Sequence, residues 1–293
     1  MSDDIRKSIR SVKFDRNVLT RYAGRLGVGK VAVEKDFLIS TLFLLLAYDD
    51  GFERFVKKAV FRGGTCIRKA YYPDEARFSE DLDFTSLTLD EMDSFLGVLE
   101  GLVGKDLGVT TISRAAQTYK DSRGLDIQLD YTSVLGQPNH IMFNLSTSKP
   151  LGEAKLKEVE VSPYFDSFKP AILVMGINEI LAEKTRALLQ RTKPRDVFDF
   201  WFLTSKKRMR IDDRLLRHKL MLSYEAAPED KKASAAWYSI SDILRRIEEI
   251  SELAWKQEMG GLLTRKFPSR KAIASQVSEN LKKLGDTRLE PKK

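Results

Sequence analysis

The chain has one cysteine, Cys66, and two histidines, His140 and His218, among its 293 residues. A single thiol excludes an intramolecular disulfide, and so few thiols and imidazoles make a zinc cage improbable. Long apolar runs are missing too. The longest, Phe37 to Tyr48, is broken by Ser40 and Thr41 and falls short of the roughly 20 residues a spanning helix needs. The opening MSDDIRKSIR mixes acid and base with no apolar stretch, so no signal peptide is expected and the chain reads as cytoplasmic, with no membrane partner. There is no internal repeat and no low-complexity linker.

What remains is an ordinary globular composition, 42% hydrophobic and 31% charged, enough for one large core or two modest ones. The formal charge of +8 is unevenly spread: residues 181–293 hold 26 Lys+Arg against 16 Asp+Glu, whereas residues 1–180 hold 24 against 26. The basic excess therefore lies wholly in the C-terminal part, as a polyanionic partner or simply a solvated lysine-rich surface would require.

Hydrophobic spacing predicts an α+β protein with a small mixed sheet, N-terminal helices and a helical C-terminal part. Residues 1–50 read as helical. Strands are expected over 58–63, 81–85, 108–116, 124–133, 140–147 and 157–162, with helices over 65–72 and 89–104. From Gly176 to about residue 284 the pattern is helical, and the tail DTRLEPKK is expected to fray. The boundary falls at Lys169–Pro170, giving parts 1–169 and 170–293. Gly24 to Val31, GRLGVGKV, nearly spells a phosphate-binding loop, but Val31 stands where the metal-binding hydroxyl belongs. A glycine-rich turn between helices accounts for it better.

Two stretches carry chemistry. In Phe61–Phe84, Gly63, Gly64 and Thr65 precede Asp81 and Asp83, and apolar Leu82 and Phe84 alternate with the aspartates. Alternation puts both carboxylates on one strand face, where they can converge on one or two cations. A turn of backbone N–H groups beside a divalent-metal site suits a nucleoside triphosphate. The strand over 124–133 offers Asp126, Gln128 and Asp130 on its polar face. Of these, Asp130 is the choice for a third carboxylate, although a one-sided sheet would solvate such residues anyway.

The second stretch is Ile177–Leu203. Helical spacing aligns Ile177, Ile180, Leu181, Lys184, Ala187, Leu188 and Arg191 on one face. Lys184 interrupts an apolar stripe, so it needs an anionic partner or a route to solvent. Lys184 and Arg191 are either snorkelling cations or a clamp on a triphosphate. After Pro194 the next helix is apolar nearly all round, yet contains Asp196 and Asp199. Asp196 suits the helix start. Asp199 needs a salt bridge to Lys184 or Arg191, or a catalytic role.

Together, Glu34-Lys35-Asp36 at the head of the long apolar helix, FRGGT, RFSEDLDF, and the Lys184…Arg191…Arg195-Asp196…Asp199 array resemble the AbiEii/AbiGii-type, MenT-like toxin nucleotidyltransferases of the polymerase-β superfamily. The resemblance spans roughly residues 30–205. It departs from the commoner glycine–serine motif in having Thr65, and in its longer gap before the aspartates. It implies a toxin of a toxin–antitoxin or abortive-infection system that uses Mg²⁺ (or Mn²⁺) and an NTP. The acceptor it implies is RNA, the 3′ end of tRNA before others, and a cognate antitoxin is the implied protein partner. Asp81 and Asp83 would hold metal, Gly63–Thr65 and Lys184 with Arg191 would bind the triphosphate, and Asp199, or else Asp196, would be a base or orienting group. Such chemistry needs no Ser–His or Cys–His pair. A protein acceptor and a non-catalytic basic nucleic-acid-binding protein are the alternatives.

Overall fold

The computed structural model describes residues 2–107, 111–264 and 267–288. By its internal contacts the chain divides into two units, Met1–Gly176 with Leu262–Arg265, and Ile177–Gly261 with Lys266–Lys293. Among the described residues, no helix is long and apolar enough to cross a membrane.

The first unit begins with α1 (Ser2–Ser11), α2 (Arg16–Leu26) and α3 (Lys30–Tyr48). Asp15 caps α2 by accepting from the N–H groups of Asn17 and Val18, and Gly27 ends it in the left-handed conformation, φ +70°. The near-miss phosphate loop is thus a helix–helix connection. α3 is buried on every side from Ala32 to Leu46, as its nearly all-round apolar character demands.

The short α4 (Glu53–Val56) leads to the sheet: β1 (Val60–Arg62), α5 (Gly63–Cys66), β2 (Asp81–Thr85), α6 (Leu89–Glu100), β3 (Ile112–Asp121), β4 (Gly124–Thr132), β5 (Pro138–Ser146), β6 (Lys155–Glu158) and β7 (Ala171–Val174). The seven strands lie in the order β3-β4-β5-β2-β1-β7-β6. β2 is antiparallel to β1 and parallel to β5, so the sheet is mixed, as expected. α6 starts with a capping box between Thr88 and Glu91.

Several expected boundaries shift. The predicted helix over 65–72 is α5 running into a π-helical turn, Ile67–Tyr71. The strand expected at 108–116 begins at Ile112, and residues 108–110 lie outside the described residues. β7 has no sequence counterpart because its four residues, AILV, are too few to show a period.

The second unit is helical: α7 (Ile177–Arg191), α8 (Pro194–Trp201), α9 (Asp213–Glu225), α10 (Glu229–Ala235), α11 (Ile240–Glu249), α12 (Glu252–Met259) and α13 (Arg270–Leu284). One short pair, β8 (Trp237–Tyr238) with β9 (Thr287–Arg288), interrupts it. That pair engages part of the tail expected to fray. Residues 289–293 lie outside the described residues.

Candidate active site

In the first unit the candidate site is assembled on the middle of the sheet. Leu82 and Phe84 are buried, while Asp81 and Asp83 are half-buried on the opposite face of β2, as the alternation requires. The glycine turn lies directly against this strand. Gly63 has φ +82°, and a Cβ added there would lie 2.0 Å from Asp83 Oδ2, so no side chain fits. The Thr65 hydroxyl donates to the Asp81 carbonyl, and Thr65 is fully buried. Its single O–H donor therefore anchors the turn to β2, where the sequence suggested a phosphate contact. Gly64 lies against the Arg77 guanidinium and the Ser79 hydroxyl.

Sheet register decides which further residues flank the aspartates. Asp83 pairs with Asn144 of β5, and Asn144 with Asp126 of β4. Residues paired across strands share a face, so Asp83, Asn144 and Asp126 form one row. Asn144 Nδ2 donates to Asp83 Oδ1 at 3.3 Å. Burial, and then the Asp83 carboxylate, hold the Asp126 carboxyl above its ordinary pKa, the pattern of like charges that a cation would relieve. Asp130, the sequence choice for this role, pairs with His140, one row beyond the Met142–Gln128 row of Asp81. Its Oδ1 accepts from Gln128 Nε2 at 2.6 Å. Alternation marked both aspartates as facing the same way, but only inter-strand pairing could choose between them.

Behind the turn, the EKD element of α3 forms a buried polar cluster. Lys69 Nζ lies 2.9 Å and Arg68 Nε 3.3 Å from Asp36 Oδ1, and Lys69 Nζ also donates to Ser40 Oγ at 3.0 Å. Arg68 stacks on Phe78, 3.6 Å from the ring centroid, and donates to the Ala76 carbonyl. Burial pushes the Asp36 carboxyl up, but Lys69 and then Arg68 outweigh it and keep it below its ordinary value. These contacts tie α3 to the π turn after Gly63–Thr65 and to the segment leading into β2. Lys35 Nζ lies 3.7 Å from Glu80, next to Asp81. Sequence reading used EKD only as a motif and missed Arg68 and Lys69, whose partners are about thirty residues away.

In the second unit, Lys184 Nζ meets Asp199 Oδ2 at 2.7 Å, with both side chains largely buried. Arg191 grips the buried Asp196 with two bonds, Nε at 2.7 Å and Nη2 at 2.9 Å. The ion pair expected as the alternative for Asp199 is therefore present, made with Lys184, whereas the Arg191–Asp196 pair was not expected from a residue placed at the helix start. The buried face of α7 comprises Glu179, Ile180, Leu181, Ala182, Thr185, Leu188 and Leu189. It is rotated from the predicted stripe, and Lys184 sits at its border. The rotation arises because two polar residues are satisfied inside: Thr185 donates to the Leu181 carbonyl, and Glu179 pairs with Lys219 of α9 at 2.6 Å. Lys219 also reaches Glu183 at 3.0 Å. Its position among Leu215, Leu216 and Leu220 was the available signal.

Among the described residues, no three His, Cys, Asp or Glu side chains are gathered closely enough to hold a metal ion. The donor set of the Asp83 row nevertheless suits one: carboxylate and amide oxygens are what hard Mg²⁺ or Mn²⁺ prefers.

A mixed sheet with paired aspartates beside a glycine turn, and a helical part bearing a Lys–Asp pair, agree with the class to which sequence similarity assigns the chain, the nucleotidyltransferases. The chain belongs to the nucleotidyl transferase AbiEii toxin family, type IV toxin–antitoxin system, whose sequence profile matches residues 45–275. The match extends well past the expected limit of residue 205 and starts after the EKD element. The fold is similar to that of MenT4, a nucleotidyltransferase toxin of Mycobacterium tuberculosis H37Rv, at 21% identity and TM-score 0.66, covering 92% of this chain and 88% of that one. It is also similar to JHP933 of Helicobacter pylori, at 15% identity and TM-score 0.50, covering 87% and 91%. No curated protein matches the sequence. Family membership implies metal dependence, an RNA substrate and an antitoxin.

Proposed function

We propose that this enzyme transfers a nucleoside monophosphate from an NTP to the 3′ end of an RNA, tRNA foremost, and releases pyrophosphate. The observation that carries the reading is the Gly63 turn set directly against Asp83, in a space no Cβ could share. That arrangement brings a phosphate-sized backbone turn and two carboxylates to one place.

Asp81 and Asp83 are the residues that would hold Mg²⁺, with Asp126 completing the row and Asp130 at its margin. Bound there, the ion would neutralise charge on the triphosphate and lower the pKa of the attacking hydroxyl. Backbone N–H groups of Gly63, Gly64 and Thr65 contact phosphate oxygens. Lys184, supported by Arg191, offsets charge on the leaving pyrophosphate. Asp199 orients Lys184 and accepts or steers the hydroxyl proton, while Asp196 fixes Arg191.

The test is to incubate the protein with each labelled NTP, Mg²⁺ and total RNA, and to follow the label. Label in RNA, absent with EDTA and with Asp81→Ala, Asp83→Ala or Lys184→Ala, is the expected result. Label in protein would move the acceptor to a polypeptide, and label in neither would refute the transfer.

A further inference from the structure

Just beyond Asp199 the second unit carries a basic cavity that the transfer chemistry does not use. α8 runs without a break into a π-helical turn, Phe202–Lys206, and the next loop reads Lys207-Arg208-Met209-Arg210. Against the end of α13 this loop bounds a cavity of about 450 Å³, lined by Thr204, Arg208, Arg210, Asp213, Asn280 and Lys283 among others. Its polar floor is already organised. Asn280 Nδ2 donates to Thr204 Oγ1 at 3.2 Å and to Ser205 Oγ at 2.9 Å, and Lys283 Nζ donates to Asn280 Oδ1 at 3.3 Å.

Among the described residues, neither Arg208 nor Arg210 is in an ion pair, and both are exposed. Asp213 is the one acid in the lining. Arg208 also holds φ +53°, a left-handed conformation that a non-glycine residue adopts at a cost. The loop is pinned in that shape by Met209 N–H donating to the Leu203 carbonyl at 3.0 Å. The loop thus presents two exposed guanidinium groups beside a lysine.

We propose that this cavity binds the phosphodiester backbone of the acceptor RNA, with Arg208, Arg210 and Lys283 each contacting phosphate. Planar guanidinium forks match phosphate oxygens in a two-bond geometry. The site shares a continuous helical rod with Asp199, since Thr204 of its lining is five residues on in that rod. An RNA held here therefore passes close to that end of α8. The inference rests on the RNA-acceptor reading above and adds where this chain grips that RNA.

The test uses the full-length protein and a fluorescein-labelled RNA hairpin with a single-stranded 3′ tail, its affinity followed by anisotropy across a KCl series. Arg208→Ala/Arg210→Ala/Lys283→Ala should bind at least tenfold more weakly. Its log–log salt slope should fall by about 2, at roughly 0.7 per single-strand phosphate contact. Should the triple variant fold poorly, the exposed single change Arg210→Glu should weaken binding and lower the slope by at least about 0.7, the share of one contact. Wild-type affinity and slope in a folded variant would overturn the proposal. So would a variant that keeps the RNA but loses a poly-glutamate peptide bound by the wild type, which assigns the cavity to an acidic polypeptide. A wild-type enzyme that binds the hairpin through these residues yet transfers no label to RNA would refute the proposed reaction while supporting this binding site.

Discussion

At the residue scale, Gly63 shows how little freedom the site has. Its positive φ strains any other residue, and its Cα faces the Asp83 carboxylate. Gly63→Ala is expected to cost about 1–3 kcal/mol of stability and to abolish transfer, read by urea unfolding and by label incorporation. Asp126 and Asp130 provide a sharper comparison. Asp126→Asn should weaken the apparent metal affinity about 10–100-fold, whereas Asp130→Asn should leave it near wild type. Activity titrated with Mn²⁺ compares them directly, and equal damage from both would refute the register argument. Thr65 is a third case. Replacing it with Val leaves the Asp81 carbonyl without its donor, at about 1–3 kcal/mol, while Thr65→Ser keeps the bond and should keep the stability.

At the scale of elements, a π turn follows the key residues of each candidate stretch, Ile67–Tyr71 after the glycines and Phe202–Lys206 after Asp199. Such turns recur at functional sites, and the extra residue each one holds resets the helical phase of the segment after it. The first of them presents Arg68 and Lys69 to Asp36 on α3. Lys69→Met should leave the buried Asp36 short of a partner and destabilise the first unit by about 3–5 kcal/mol. Adding Asp36→Asn to it should recover part of the loss, and the urea midpoints of the single and double variants measure the coupling. The strand alternation of β4 was fully legible in sequence, with Leu125, Ile127 and Leu129 buried. The face of α7 was not, because Glu179 and Thr185 read as polar and were placed outside the stripe. A partner on α9 and a carbonyl one turn back make their burial tolerable.

At the scale of the whole molecule, the proposed metal-binding row and the proposed RNA-binding cavity fall on opposite sides of the charge split. The carboxylate row lies in a part with a slight acidic excess, and the exposed Arg208 and Arg210 lie in the part with 26 cations against 16 anions. Asp81→Ala should therefore eliminate nucleotide incorporation and leave RNA affinity within about twofold, since phosphate contacts rather than the metal site supply most of that affinity. A parallel loss of binding in the same anisotropy assay would contradict this division.

Local periodicity and turn chemistry by themselves determined the helices at the start, the buried α3, the strand face shared by Asp81 and Asp83, the glycine turn before them, and the two anomalous aspartates of α8. Those features depend on neighbours in the chain. Tertiary structure alone decided that Asp126 rather than Asp130 shares a row with Asp83, and that Lys184 takes Asp199 while Arg191 takes Asp196. It also decided that Thr65 ties the turn to its strand, and that Lys219 and Lys69 are buried against carboxylates distant in sequence. The physical reason is common to all of them. Strand register and ion-pair choice are fixed by which surfaces meet on folding, and a carboxylate's spacing along the chain does not specify the cation it will meet.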